Sequence, residues 1–244
     1  MNPLQNSKED PVSKLSLADT RPVGDRVVSA TMELLLLRGT RKLRTADIAE
    51  YADTTESTVF RYFKNLDAIL AATYQRAWRG VNEVVSDAAF GRPFSADPQQ
   101  ALLGDMAALW SMKDDPEQAR AATVAFLFLR RRGEILGSSS EAADEEIRFQ
   151  RRLDQLCSSI VKAEAPSDEE TEARQSTLLA TLIMNYSASV WMTWFCMPFG
   201  SEEVTDWQHD LSADEAQLGV LILIDRSLKR EIGEPFQSAN GGNG

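Results

Sequence analysis

The sequence predicts an all-α protein of about nine helices, divided into a small N-terminal domain and a larger C-terminal domain. Three observations support this fold class. Apolar residues recur at helical spacing along most of the chain, no segment alternates like a strand, and there is no internal repeat. With 244 residues, 43% hydrophobic and 26% charged, the chain can bury a core and remain soluble.

Helix breakers and composition divide the chain into four predicted segments. Gly91 and Pro93 interrupt the helical pattern and separate the two domains. Both ends are polar and lack apolar periodicity, so we expect them to be disordered. The predicted segments are a disordered arm at 1–22, the first domain at 23–90, the second domain at 91–232 and a disordered tail at 233–244.

Caps and breakers set the limits of the predicted helices. Gly39 follows the first helix, as glycine does past a helix C-terminus, and Thr45 is the expected N-cap of the second. Ser212 and Glu215 form a capping box for the last helix. The predicted helices span 24–37, 45–52, 56–63, 66–88, 98–112, 116–132, 140–163, 168–197 and 212–231, with a loop at 133–140.

One segment is long enough to cross a membrane, but its composition favours a buried helix. Residues 175–201 contain no charged side chain. They include polar residues such as Asn185 and Ser187, and acidic residues flank them on both sides where basic anchors would be expected. The N-terminus has no apolar run behind a basic start, and Cys157 and Cys196 are far apart. These features predict a reduced, cytoplasmic protein.

Charge is unevenly distributed along the chain. The 26 basic and 37 acidic residues give a formal net charge of -11. Residues 38–80 carry eight basic and five acidic residues, a net charge of +3, which leaves -14 on the rest. Because negative charge repels phosphate, only the N-terminal domain is expected to approach a nucleic acid.

The last two long helices carry apolar residues on more than one side. In the helix at 168–197, Leu178 and Tyr186 lie on one side, and Met184 and Trp191 lie on another. The final helix repeats this pattern. One side would pack on the domain core and the other on a second copy, which predicts a homodimer formed by these two helices. A single large core without a dimer would also explain the pattern.

The stretch from Arg44 to Leu70 reads as two short helices joined by a tight turn. Ile48 lies on a small apolar face of the first, and Val59 and Phe63, spaced by four residues, bury the second against it. The side chains left outside on the second helix are Glu56, Ser57, Thr58, Phe60, Arg61 and Tyr62. This polar and aromatic set suits phosphate and groove contacts better than a core.

This stretch resembles the helix-turn-helix of the tetracycline-repressor (TetR) family. The resemblance covers about residues 24–74 and rests on Gly39, Thr45, Ile48, Ala49, Ala52, Thr58, Val59, Phe60, Tyr62, Phe63, Asp67 and Leu70. It implies an N-terminal three-helix DNA-binding domain, with its motif at about 45–63, and a C-terminal helical domain for ligand binding and dimerisation. The implied function is a ligand-responsive transcriptional regulator, typically a repressor. Such a regulator binds a palindromic operator in double-stranded DNA as a homodimer, and a small apolar or aromatic effector releases it.

The resemblance also implies roles for individual residues. Thr45 would contact a phosphate through its hydroxyl and the helix N-terminus. Base edges in the major groove would face Glu56, Ser57 and Thr58. Bases or backbone would be reached by Arg61 and Tyr62. The predicted DNA-binding set is completed by Phe60 and Lys64.

Several positions depart from the family pattern. Asp53 replaces the usual glycine of the turn, although aspartate tolerates the left-handed conformation. Phe60 lacks the hydroxyl of the usual tyrosine, and Leu66 stands where a lysine is common, a role that Lys64 could take. Glu56 disfavours phosphates but can accept from cytosine N4. These departures leave open an alternative, a helical ligand-binding or protein-interaction module with weakened or lost DNA binding. If the protein does bind DNA as a regulator, the basic residues of the N-terminal arm would compensate for the missing phosphate contacts.

The C-terminal domain offers apolar side chains for an effector pocket. The predicted ligand-binding residues are Trp110, Phe126, Met184, Tyr186, Trp191 and Phe195. Aromatic residues at helical spacing also build ordinary cores, and that alternative stays open for each. The chain has one histidine, His209, in a polar stretch, and no Gly-rich phosphate loop. We therefore expect no enzyme activity, no metal site and no cofactor.

Overall fold

Every regular element that the computed structural model describes is a helix. The structure describes residues 20–38, 43–89, 97–129, 143–164, 166–196 and 218–224, and no strand occurs within these ranges. The predicted all-α class is therefore confirmed.

Nine α-helices make up the described part of the chain. The first four are α1 (Val23–Arg38), α2 (Thr45–Tyr51), α3 (Glu56–Tyr62) and α4 (Leu66–Ala89). The others are α5 (Pro98–Ser111), α6 (Pro116–Leu129), α7 (Asp144–Glu164), α8 (Glu169–Cys196) and α9 (218–224). A 3₁₀ helix at Met112–Asp114 joins α5 to α6.

Four helices begin at an Asx side chain that caps a free backbone N–H. Asn65 accepts from the third residue after it at 2.9 Å and opens α4. The same contact is made by Asp97 before α5, Asp115 before α6 and Asp168 before α8, at 2.9, 2.9 and 3.0 Å. These caps satisfy donors that every helix start leaves unpaired, so local sequence fixes where these helices begin.

The predicted helix limits agree with the structure to within a few residues wherever both are described. Thr45 is an exception in its role, because it is the first residue of α2 and Arg44 precedes it without a side-chain cap. The predictions at Gly39, at 91–93, at 133–140 and at Ser212 lie outside the described residues.

Helix α4 lies at the centre of the fold and contacts α1, α5, α6 and α7. Buried aromatic rings from α4 and from three other helices pack together. Trp78 of α4 lies 5.4 Å from Phe126 of α6 and 5.3 Å from Phe149 of α7, between ring centroids. The Phe126 ring also stacks on Trp191 of α8 at 6.4 Å. This aromatic cluster anchors the long helices to one another.

The core-facing side of α8 differs from the predicted division. Leu179, Ile183, Ser187 and Trp191 are buried at helical spacing, so the core stripe runs between the two predicted sides. Leu178 stays exposed on the opposite side. Within the described residues, no helix combines the length and apolarity that a membrane span needs.

Candidate nucleic-acid interface

Helices α1, α2 and α3 form a small domain held by short apolar side chains. Ile48, Ala49 and Val59 are buried, with at most 3% of their surface exposed. Each of the three helices contacts the other two. Because Val59 holds one side of α3 against α2 and α1, the other side of α3 is left to solvent.

The turn between α2 and α3 is a Schellman motif, in which one residue in the left-handed conformation ends the helix. Asp53 is that residue, with φ at 49°, and it is the one non-glycine residue with positive φ in the described chain. Its N–H donates to the Glu50 carbonyl at 3.2 Å, and the Thr54 N–H donates to the Ala49 carbonyl at 2.9 Å. The prediction that aspartate can occupy this glycine position is confirmed.

Helix α3 begins at a cluster of three hydroxyl groups. Thr55 is the N-cap, and its Oγ1 accepts from the Thr58 N–H at 3.2 Å. The same oxygen lies 2.9 Å from the hydroxyls of Ser57 and Thr58. This cap fixes the first turn of α3 and holds two of the predicted base-reading hydroxyls at the helix start.

The solvent side of α3 carries the predicted reading residues. Exposed side chains are Glu56, Ser57, Phe60, Arg61 and Tyr62, and Thr58 is partly buried. Helix geometry places Ser57 and Arg61 opposite Val59. The exposed fractions of Phe60 and Tyr62 are 48% and 56%, which is high for aromatic residues. The two other predicted contacts flank the helix, with Thr45 partly buried at the start of α2 and Lys64 exposed just beyond α3.

Arginine pairing separates the basic residues of this domain into two groups. Arg44 forms a bidentate ion pair with Asp47, at 3.0 and 2.9 Å. The hydrogen bond from Arg44 lowers the pKa of the Asp47 carboxyl, and the carboxylate raises the pKa of the Arg44 guanidinium. By contrast, Arg61 and Lys64 form no ion pair with any described residue. Their charges are therefore available to a phosphate or a base.

Two supporting contacts were not found from the sequence. The Arg26 guanidinium of α1 donates to the carbonyl oxygen of Asp53 at 3.3 Å and ties the turn to the first helix. From the sequence, Arg44 is only one of the positive charges of this region, whereas in the structure it is paired with Asp47. The three-residue spacing of Arg44 and Asp47 was a visible signal, whereas the contact across 27 residues from Arg26 had none.

The structure places the predicted effector residues in different surroundings. Trp110, Phe126 and Trp191 are buried in the core. Met184 instead lines a shallow groove of about 310 Å³ between α7 and α8. Tyr186 packs against α9, where burial raises the pKa of its phenol. The side chain of Phe195 lies outside what the structure describes, and this set of residues stays a prediction.

Two buried indole groups in the aromatic core beside α4 lack a hydrogen-bond acceptor among the described residues. Trp78 and Trp110 are fully buried, and neither Nε1–H has a partner there. Nearby, the Ser187 hydroxyl donates to the Met106 sulfur at 3.6 Å, a weak acceptor. Buried donors are usually paired, so this core offers hydrogen bonds that its own side chains do not use.

Comparison with known proteins supports the interpretation of α2 and α3 as a helix-turn-helix. Residues 27–73 match the family profile described as bacterial regulatory proteins, tetR family. An uncharacterized HTH-type transcriptional regulator of Bacillus subtilis, YvkB, is 42% identical over 52 residues. That match covers 21% of this chain and 28% of the relative, and so is confined to a part of each protein.

Solved structures extend the likeness to the whole fold. A transcriptional regulator from Rhodococcus sp. Rha1 has a TM-score of 0.58 at 15% identity, over 84% of this chain and 95% of its own. FadR from Bacillus halodurans, a fatty acid degradation regulator, has a TM-score of 0.57 at 15% identity, over 88% and 98%. FadR from Bacillus subtilis in complex with stearoyl-CoA has a TM-score of 0.57 at 14% identity, over 84% and 97%.

Helices α2 and α3 and the turn between them form a helix-turn-helix. The part of the chain around this motif, residues 27–73, is similar to the bacterial regulatory proteins of the tetR family, and the fold is similar to that of solved transcriptional regulators.

Proposed function

We propose that the protein is a ligand-responsive repressor that binds a palindromic operator as a homodimer and leaves it when a small hydrophobic effector binds. The observation that carries this proposal is the solvent side of α3, where Ser57 and Arg61 project from a helix fixed by Val59. A side chain set of this kind fits the major groove, where base edges carry sequence information.

The proposed contacts divide into reading and positioning. Arg61 and Ser57 lie at the centre of the α3 face and read base edges, with Arg61 suited to guanine. Phe60, which is apolar, suits a thymine methyl group, and Glu56 beside it suits the amino group of cytosine. Thr58, Tyr62, Thr45 and Lys64 lie at the margins and position the helix on phosphates.

Exposed apolar side chains support the proposed homodimer. Large hydrophobic residues remain exposed on the last two helices, with 47% of Leu178, 55% of Leu218 and 43% of Ile222 accessible. Val220 and Ile224, on the other side of α9, are buried in the same chain. A second copy would cover the exposed side. Its two α3 helices would then enter successive major grooves about 34–36 Å apart.

The effector proposal rests on buried hydrogen-bond donors in the core that have no strong acceptor. The indole N–H groups of Trp78 and Trp110 and the hydroxyl of Ser187 lie among apolar side chains and lack a strong acceptor. A mostly apolar molecule with a carbonyl or carboxyl oxygen would meet this chemistry. FadR from Bacillus subtilis, which has a similar fold, was solved in complex with stearoyl-CoA, whose acyl chain and thioester carbonyl have this chemistry.

Ion pairs give the effector domain a route to the DNA-binding domain. Arg120 of α6 pairs with Glu33 of α1 at 3.0 Å, and Arg76 of α4 pairs with Asp25 of α1 at 3.2 Å. An effector that binds a conformation with α4 or α6 displaced would therefore move α1 and change the spacing of the two α3 helices. It releases DNA only if it prefers that conformation to the operator-bound one.

The test is selection of sites from random duplex DNA by the full chain, followed by the stoichiometry of the selected complex. The proposal predicts an enriched palindrome bound by two protomers. Candidate effectors, beginning with long-chain acyl-CoA, would then be scored by release of that DNA. Folded, dimeric protein that enriches no sequence would favour the alternative, an interaction module without DNA reading.

A further inference from the structure

A groove with a volume of about 610 Å³ lies where the DNA-binding domain meets the C-terminal domain. Its walls come from α1, from the middle of α4 and from the start of α6. Seven residues between positions 72 and 84 of α4 face it at helical spacing. The volume falls within the range of small-molecule sites. The groove is separate from both α3 and the buried aromatic cluster.

The floor of the groove is apolar and its width is set by a close helix crossing. A Cβ placed on Gly80 of α4 would lie 3.4 Å from the Cβ of Ala121 on α6, so the two helices nearly touch there. Beside this crossing, Val28 and Met32 of α1 and Val84 of α4 line the floor. A ligand in the groove can therefore bury an apolar body between the two domains.

The rim of the groove carries more negative than positive charge. Of its two arginines, Arg76 pairs with Asp25 at 3.2 Å and with Glu117 at 3.6 Å. The other, Arg79, pairs with a glutamate outside the groove at 3.7 Å. Both positive charges are thus matched by neighbours.

Two carboxylates on the rim have no basic partner of this kind. Glu83 and Asp115 form no ion pair with a described residue, and Asp115 uses one oxygen to cap α6. The groove thus combines an apolar floor with two carboxylates that can accept a cation. An anion would face their repulsion.

We propose that this groove is a second ligand site, which takes a small organic cation with an apolar body. The ammonium group lies on the acidic rim by Glu83, and the body lies on Val28, Met32 and Val84. A ligand in this position contacts α1 and α4 at once. The binding step needs neither DNA nor the effector, so its failure would leave the proposed repressor function untouched.

The experiment uses benzyltrimethylammonium as the probe, with neutral benzyl alcohol and anionic benzoate as matched controls at constant ionic strength. Full-length protein labelled with ¹⁵N-glycine gives at most 13 backbone signals, of which Gly80 lines the groove. The variant Gly80→Ala, which leaves an ordinary contact with Ala121, identifies the Gly80 signal.

The Gly80 signal is expected to shift and saturate with benzyltrimethylammonium, with a Kd on the order of 1 mM for a probe of this size. Glu83→Gln should weaken binding about two- to fivefold, as expected for loss of one exposed ion pair. Glu164→Gln removes an equal charge from an exposed site outside the groove and should change nothing. The proposal is overturned if no saturable shift occurs, if either control ligand binds as well, or if the two variants weaken binding equally.

Discussion

Aromatic side chains serve opposite purposes in the two domains. In the C-terminal core, Phe126 and Trp191 are buried and stack at 6.4 Å. On α3, Phe60 and Tyr62 are about half exposed, although exposure of apolar surface has a free-energy cost. The core thus uses aromatic rings for stability, whereas the exposed rings of α3 fit the proposed contact with DNA.

The strongest test of this contrast makes the same substitution in both places. Phe126→Ala should lower the free energy of unfolding by about 3–5 kcal/mol, because it leaves a cavity among packed rings. Phe60→Ala should change it by less than about 0.5 kcal/mol, because the ring is at the surface. Urea denaturation of both variants measures the difference. Equal destabilisation would mean that Phe60 is a structural residue.

A second test applies to the exposed apolar side of α8 and α9. Leu178→Glu places a negative charge in the proposed interface, and the twofold symmetry of the dimer brings the same charge from the second protomer to that interface. The substitution should convert the dimer to monomer at micromolar concentration. Gln155→Glu adds the same charge to an exposed site on α7 and should leave the dimer intact. Sedimentation velocity distinguishes the two states. A Leu178→Glu variant that remains dimeric would place the interface elsewhere.

Two glycines offer a smaller contrast between the domains. A Cβ on Gly219 would lie 2.0 Å from the hydroxyl oxygen of Tyr186, so Gly219→Ala should push the Tyr186 ring out of its place against α9 and cost about 1–3 kcal/mol. A Cβ on Gly24 of α1 would lie 3.7 Å from Tyr62, an ordinary contact. Gly24→Ala should therefore be neutral or stabilising by up to about 1 kcal/mol. Thermal unfolding of both variants checks the sign of each effect.

The turn before α3 should show the smallest effect. Asp53→Gly relieves the left-handed strain and should stabilise the fold by less than about 1 kcal/mol, whereas Asp53→Ala should destabilise it by about 1 kcal/mol. Changes of opposite sign in the free energy of unfolding, measured by chemical denaturation, would show that the left-handed backbone conformation determines which residue is favoured at this position. If both variants destabilise the fold equally, the aspartate side chain itself matters more than the backbone.

The two domains also differ in how much the sequence reveals. The helix-turn-helix could be predicted because its determinants lie close together in the chain. Val59 identifies the buried side of α3, and Asp53 marks the turn. The five exposed residues of α3, to which the proposal gives DNA contacts, then follow from helix periodicity.

The C-terminal domain could be predicted only as a set of helices. Its core joins residues far apart in sequence, such as Met106 and Ser187, which are 81 positions apart. Helix periodicity shows that α8 has a buried side but not its orientation, because neighbouring helices decide which stripe packs inward. For the same reason, the groove between α1, α4 and α6 had no signal in the sequence.

The central claim is that α3 of a dimer reads DNA sequence through Arg61. The most direct measurement is parallel selection from random duplex DNA by the wild-type chain, by Arg61→Ala and by Arg151→Ala, a control at an exposed site on α7. The account predicts one palindrome for the wild type and the control. For Arg61→Ala it predicts loss of base preference at one pair of symmetry-related positions, with about 5- to 150-fold weaker binding. Identical selected sequences from all three proteins, or no palindrome from the wild type, would contradict it.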